Sequence, residues 1–132
     1  MTIAGTSAHP IEIEPADDWV RVLWGTHEVA STGRALILRE GTMKPVLYIP
    51  REDADMAMFE RTARKSTCPF KGEASYFTLV SPDGQREDNA VWTYETPIAA
   101  VAEIAGHLAF YPDRVVILVE PPAEDVPPEP PE

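Results

Sequence analysis

From residue 11 to residue 38 the chain alternates apolar and polar residues in short runs. Ile11 and Ile13 flank Glu12, and in WVRVLW (19 to 24) Val20, Val22 and Trp24 share one face while Arg21 takes the other. A period of two puts successive side chains on opposite faces of a sheet, so each run predicts a half-buried strand. Residues 28 to 31 and 35 to 38 continue the rhythm, with Gly25-Thr26 and Thr32-Gly33 as turns. This is the pattern of a β-meander. PVLYIP (45 to 50) predicts another strand, bounded by proline at both ends.

Two segments read as short helices. Pro50-Arg51-Glu52-Asp53 places acids where a helix dipole favours them; Met56, Phe59 and Ala63 then form a stripe at helical spacing, and Arg61, Arg64 and Lys65 load the far end with positive charge. Thr96-Pro97 offers a capping hydroxyl and a proline at the first helical position; Ile98, Val101, Ala102 and Ala105 give a buried face that Gly106 ends. Residues 73 to 80 and 90 to 95 predict a hairpin across SPDGQREDN, and the apolar run 115 to 119 predicts a central strand. The expected fold is mainly β with two short helices, an α+β arrangement without internal repeats.

At 132 residues the chain suits one domain, which buries roughly two-thirds of its unfolded surface. The expected organisation is an N-terminal extension (1–9), one domain (10–120) and a disordered acidic tail (121–132). PPAEDVPPEPPE holds six prolines and four acids, has almost nothing to bury, and would suit a groove in a protein partner. The net charge of −11 lies mostly outside that tail and disfavours nucleic acid. No apolar run approaches the ~20 residues of a membrane span. The start of the chain has neither a basic nor an apolar signal segment. A cytoplasmic location is expected. One cysteine and three scattered histidines offer no metal-binding pattern, so no cofactor and no metal are expected.

The candidate chemistry clusters in the second half. Cys68 lies between Lys65 and Lys71, a locally electropositive setting for a thiolate, and His107 could act as its base. The residues alone favour the plainer readings, Cys68 as a small buried group beside a turn and His107 as a helix-capping residue. Lys71-Gly72 suits an anion such as a carboxylate or phosphate, or simply balances surface acids. Tyr76, Trp92 and Tyr94 occupy alternate positions of the expected hairpin, with Phe110 and Tyr111 following. Such rings form either core or the wall of a wet pocket.

Three blocks, YIPRED (48 to 53), TCPFKGEASY (67 to 76) and AVWTYETPIAAVAEIAGHLAFYPDRV (90 to 115), resemble the signature blocks of a bacterial family catalogued as domain of unknown function four-two-seven. That family's pattern runs YxPRxD, T-x-CPYKG-x-x-x-Y, W-x-Y-x-x-P and GHxAFYP, and Phe70 stands where tyrosine is usual. The resemblance covers roughly residues 10 to 118. It implies a compact β-tent of two antiparallel sheets with a pocket between them, similar to methionine-R-sulfoxide reductases and the drug-binding domain of cereblon, but without those relatives' paired-cysteine zinc. It implies no established activity. Some classifications attach a nucleotidyltransferase label to the family, although no acidic metal pair with a glycine-serine loop is present here. The motif residues carried over are Tyr48, Arg51, Cys68, Lys71, Tyr76, Trp92, Tyr94, His107 and Tyr111.

The resulting expectation is a pocket for a small molecule, with Lys71 binding an anionic group. Tyr48, Arg51, Tyr76, Trp92, Tyr94 and Tyr111 would complete the site, and Cys68 and His107 are the catalytic candidates if it is an enzyme. The alternatives are a non-catalytic binding or protein-interaction module, and a nucleotidyltransferase-type activity.

Overall fold

In the computed structural model, which describes residues 2–6 and 9–121, the alternating runs become eleven strands in three antiparallel sheets. The first sheet has the order β1-β2-β5-β6, from β1 (Thr2–Gly5), β2 (Pro10–Pro15), β5 (Leu36–Glu40) and β6 (Val46–Tyr48). The second has the order β10-β9-β8-β7, from β7 (Phe59–Cys68), β8 (Gly72–Val80), β9 (Arg86–Thr93) and β10 (Leu108–Phe110). The third has the order β11-β3-β4, from β3 (Trp19–Trp24), β4 (His27–Thr32) and β11 (Val116–Glu120). The expected meander therefore divides: β3 and β4 form one hairpin, while β5 leaves them to pair with β2. The segment expected to be a disordered tail lies, beyond Pro121, outside the described residues. Among the described residues, no helix is long and apolar enough to cross a membrane.

The second sheet is the middle layer. Along β8, Ala74 and Tyr76 join a cluster with Ile11, Ile13, Leu38 and Tyr48 of the first sheet. The alternate residues Phe77 and Leu79 join a cluster with Val20, Val22 and Val29 of the third. β10 divides the same way, Leu108 and Phe110 to one side and Ala109 to the other. A strand covered on both faces is buried at successive positions, which explains the unbroken burial from Ala74 to Leu79, Ser75 and Thr78 included. The first and second sheets meet where Ile49 and Leu108 exchange backbone hydrogen bonds of 2.8 Å in both directions.

Four expectations are corrected. Two sheets become three. The helix expected after Pro50 is two 3₁₀ turns, Arg51–Asp53 and Met56–Met58, followed by the long edge strand β7. The misreading has a physical source. The β7–β8 register shifts between Arg61 and Lys65, so the partly buried positions of β7 fall at Phe59, Thr62, Ser66 and Cys68. The first two spacings, of three and four residues, resemble a helix's, because a bulge inserts residues into the period of two; Ala63, expected on the buried stripe, is exposed. The exposed positions carry ion pairs, Arg61 with Glu95 and Glu60 with Arg86, which keep an edge strand from pairing with another chain. The second expected helix is a kinked 3₁₀ segment, Ala99–Ile104, with non-helical backbone at Val101. Finally, the apolar run expected in the centre of a sheet is β11, an edge strand: Val116 and Val119 are 54% and 53% exposed, while Ile117 packs against the core.

The hairpin from β7 to β8 turns through Cys68-Pro69-Phe70-Lys71-Gly72. Gly72 has φ +115°, a backbone conformation that L side chains rarely adopt, and a Cβ there would meet Pro97 Cα and Ile98 N in van der Waals contact at 3.4 Å. That approach follows from the Ile98 N–H donating to the Lys71 carbonyl at 2.9 Å, which ties the 3₁₀ segment to this turn. Gly72→Ala is expected to destabilise the fold by about 1–3 kcal/mol, the cost of a side chain in such a backbone conformation. Urea denaturation checks it; an unchanged midpoint would show that the turn relaxes freely.

Candidate functional site

A cavity of about 260 Å³ opens between the first and second sheets. β5 contributes Leu38 and Glu40, β6 Val46 and Tyr48, β8 Tyr76 and β9 Trp92; Met43, Lys71, Tyr94 and Tyr111 come from adjoining loops. The fold explains the convergence. Leu36, Leu38 and Glu40 lie on one face of β5, and Tyr76 and Trp92 are cross-strand partners on the facing sheet. The Trp92 indole N–H donates to the Tyr48 hydroxyl at 3.3 Å across the gap. The Trp92 ring meets Tyr48 edge-on at 6.5 Å and Tyr111 at 4.6 Å. Ser66 and Tyr76 hydroxyls share a hydrogen bond of 2.8 Å, and the Arg64 guanidinium lies 4.7 Å above the Tyr76 ring.

At one end sits an ion pair, Lys71 with Glu40, both side chains about 10% exposed. The second carboxylate oxygen of Glu40 accepts from His9 Nε2 at 2.6 Å, and the His9 ring stacks on Phe70 at 3.9 Å. Burial alone would push the Glu40 carboxyl up, but the hydrogen bonds from Lys71 and His9 outweigh it and hold the group below the usual carboxylate range. Burial pushes the Tyr48 and Tyr94 phenols well above their ordinary value, so both keep their protons.

Six of the residues expected from sequence line this cavity: Tyr48, Lys71, Tyr76, Trp92, Tyr94 and Tyr111. Three stand elsewhere. Arg51 donates to Gly106 O at 3.2 Å, Glu95 at 3.1 Å and Thr93 Oγ1 at 3.3 Å, clamping the turn after Pro50 onto β9 and the Gly106 loop. Cys68 is half-buried at the end of β7, packed against the cluster that backs the cavity. His107 Nδ1 contacts Ala105 O at 3.1 Å. Among the described residues no hydrogen bond joins Cys68 to His107. The same residues contain no group of three His, Cys, Asp or Glu side chains placed to hold a metal ion.

Sequence reasoning missed Glu40, which neutralises Lys71. Its signal was present: Glu40 is the third residue of the Leu36, Leu38 face, an acid where the alternation demands an inward apolar side chain. His9 and Met43 carried no such signal, since nothing local brings them to this end of the sheet.

A family model described as Domain of unknown function (DUF427) matches residues 12–121. No curated protein matches the chain significantly.

Proposed function

Because the chain belongs to the family described as Domain of unknown function (DUF427), a description that assigns no activity, we propose its function from its geometry: it binds a small molecule in the cavity between the first two sheets. The observation that carries this is the lining itself. Five aromatic residues from different segments surround one hollow with a single buried ion pair at its end. Pockets for small ligands have this make-up, apolar and aromatic walls with a few placed polar groups. The protein works on this reading as a cytoplasmic, β-tent-like binder whose partner is a small molecule, not nucleic acid or membrane. Binding rather than catalysis is favoured, because the thiol of Cys68 is not among the lining groups.

A thermal-shift screen of the purified protein against metabolites tests the reading. A ligand at 100 times its Kd adds about 2.7 kcal/mol, which raises the midpoint by several degrees in a domain of this size. Trp92→Ala, which removes one wall and the bond to Tyr48, should abolish the shift, whereas Cys68→Ser should leave it intact. A shift that survives Trp92→Ala would move binding away from this cavity.

A further inference from the structure

We propose that the cavity selects an uncharged, flat ligand carrying a carbonyl-type hydrogen-bond acceptor, seated against the hydroxyl of Tyr94. This deepens the binding reading above and rests on it. Tyr94 is only 6% exposed, lines the cavity, and its hydroxyl has no hydrogen-bond partner among the described residues. It is not sealed in the core, since no side-chain oxygen or nitrogen among those residues is both fully buried and unpartnered. A nearly buried hydroxyl facing a hollow needs either water or a ligand atom.

The neighbouring polar groups define what that atom must be. The Tyr48 oxygen already accepts from Trp92, so its own proton is left to donate. Lys71 gives one of its three N–H donors to Glu40 and has others to spare. Both phenols stay protonated because burial raises them. With N–H and O–H donors spare on Lys71, Tyr48 and Tyr94, and both Glu40 oxygens already engaged by Lys71 and His9, the cavity end favours a ligand acceptor.

Charge argues that this acceptor is neutral. The Lys71 ammonium is cancelled by the Glu40 carboxylate in direct contact, and the chain as a whole carries −11. An anion would add a negative charge beside Glu40 and a cation a positive one beside Lys71; either leaves an excess charge in a nearly buried place. Arg64 does not change this balance. It faces an adjoining hollow with Asp88, Asp113 and Arg114, where two acids offset two guanidiniums. The rings of Trp92, Tyr76 and Tyr111 supply flat walls, which favour a planar body.

The test uses four probes that share one ring: benzamide, toluene, benzoate and benzyltrimethylammonium. Each is titrated into the full chain at constant pH while the Trp92 indole N–H resonance is followed by NMR. Benzamide should bind most tightly. Tyr94→Phe should weaken benzamide roughly three- to tenfold, the worth of one neutral hydrogen bond, and leave toluene unchanged. The same variant should be as stable as wild type or more so without ligand, because it deletes a hydroxyl that has no partner in the protein. Should toluene bind as tightly as benzamide, or should benzoate or the ammonium probe bind best, the acceptor proposal is overturned while the pocket stands. If no probe moves the Trp92 resonance, the pocket reading falls with it. Equal loss of toluene and benzamide in Tyr94→Phe would mark Tyr94 as a wall rather than a polar contact, and would also overturn the proposal.

Discussion

Glu40→Leu and Lys71→Met should each destabilise the protein by about 3 kcal/mol, whereas the double variant should cost far less than the two together. Each single change strands a partner: an ammonium or a carboxylate at a site about 10% exposed. Breaking a buried pair from one side costs about 3–5 kcal/mol, while replacing both partners by apolar groups is close to neutral. The lower end applies because the cavity lets water reach the pair. Chemical denaturation of the four proteins at pH 7 measures the coupling. Additive losses would mean that the contact contributes little.

The pair also predicts a pH dependence. The folded carboxyl of Glu40 lies below its ordinary value, so its stabilisation is fully present above the unfolded pKa of about 4.3. It is lost as pH falls through the lowered folded value. The stability gap between wild type and Glu40→Gln should therefore be widest near neutrality and shrink below about pH 4. Other carboxylates, such as Glu95 between Arg51 and Arg61, give both proteins an acid limb, and the difference isolates Glu40. A gap that stays constant to pH 3 would contradict the assignment.

Leu108→Ala should cost a similar amount by a different mechanism. Leu108 is fully buried, and its backbone forms the seam with Ile49 that joins the first two sheets. Truncation removes packing in the core behind that seam and leaves a cavity, which costs about 2–5 kcal/mol for leucine. The substitution keeps both backbone hydrogen bonds, so a much smaller loss would show that the core can collapse around the site. Thermal and urea unfolding of the full chain decide between these outcomes.

How much of this was legible in advance varies with the element. The strands around Ile11 and Val20 were readable because one face is buried and the other wet, which writes a period of two into the residues. The hairpin of β8 and β9 was readable for its turn chemistry, although β9 begins earlier than expected, at Arg86. β7 was not, because its bulge turns a strand's spacing into a helix's. The 115 to 119 run was misplaced because apolar content marks a strand but does not say which neighbours it has; among the described residues β11 pairs only with β3.

For the site, the aromatic residues were visible as a set, since Tyr76 and Trp92 share a register that hairpin geometry dictates. What they enclose was not. Tyr48 and Trp92 are 44 positions apart, and Lys71 and Glu40 are 31 apart, so their meeting depends on how the first sheet packs on the second. The sequence by itself determined the β class, the family blocks and the chemical types present. Only the tertiary structure decided that Lys71 is neutralised, that Arg51 is a clamp, and that Tyr94 faces a hollow. The reason is physical: local pattern reports which face of a strand is buried, whereas charge pairing and cavities arise between segments that share no local signal.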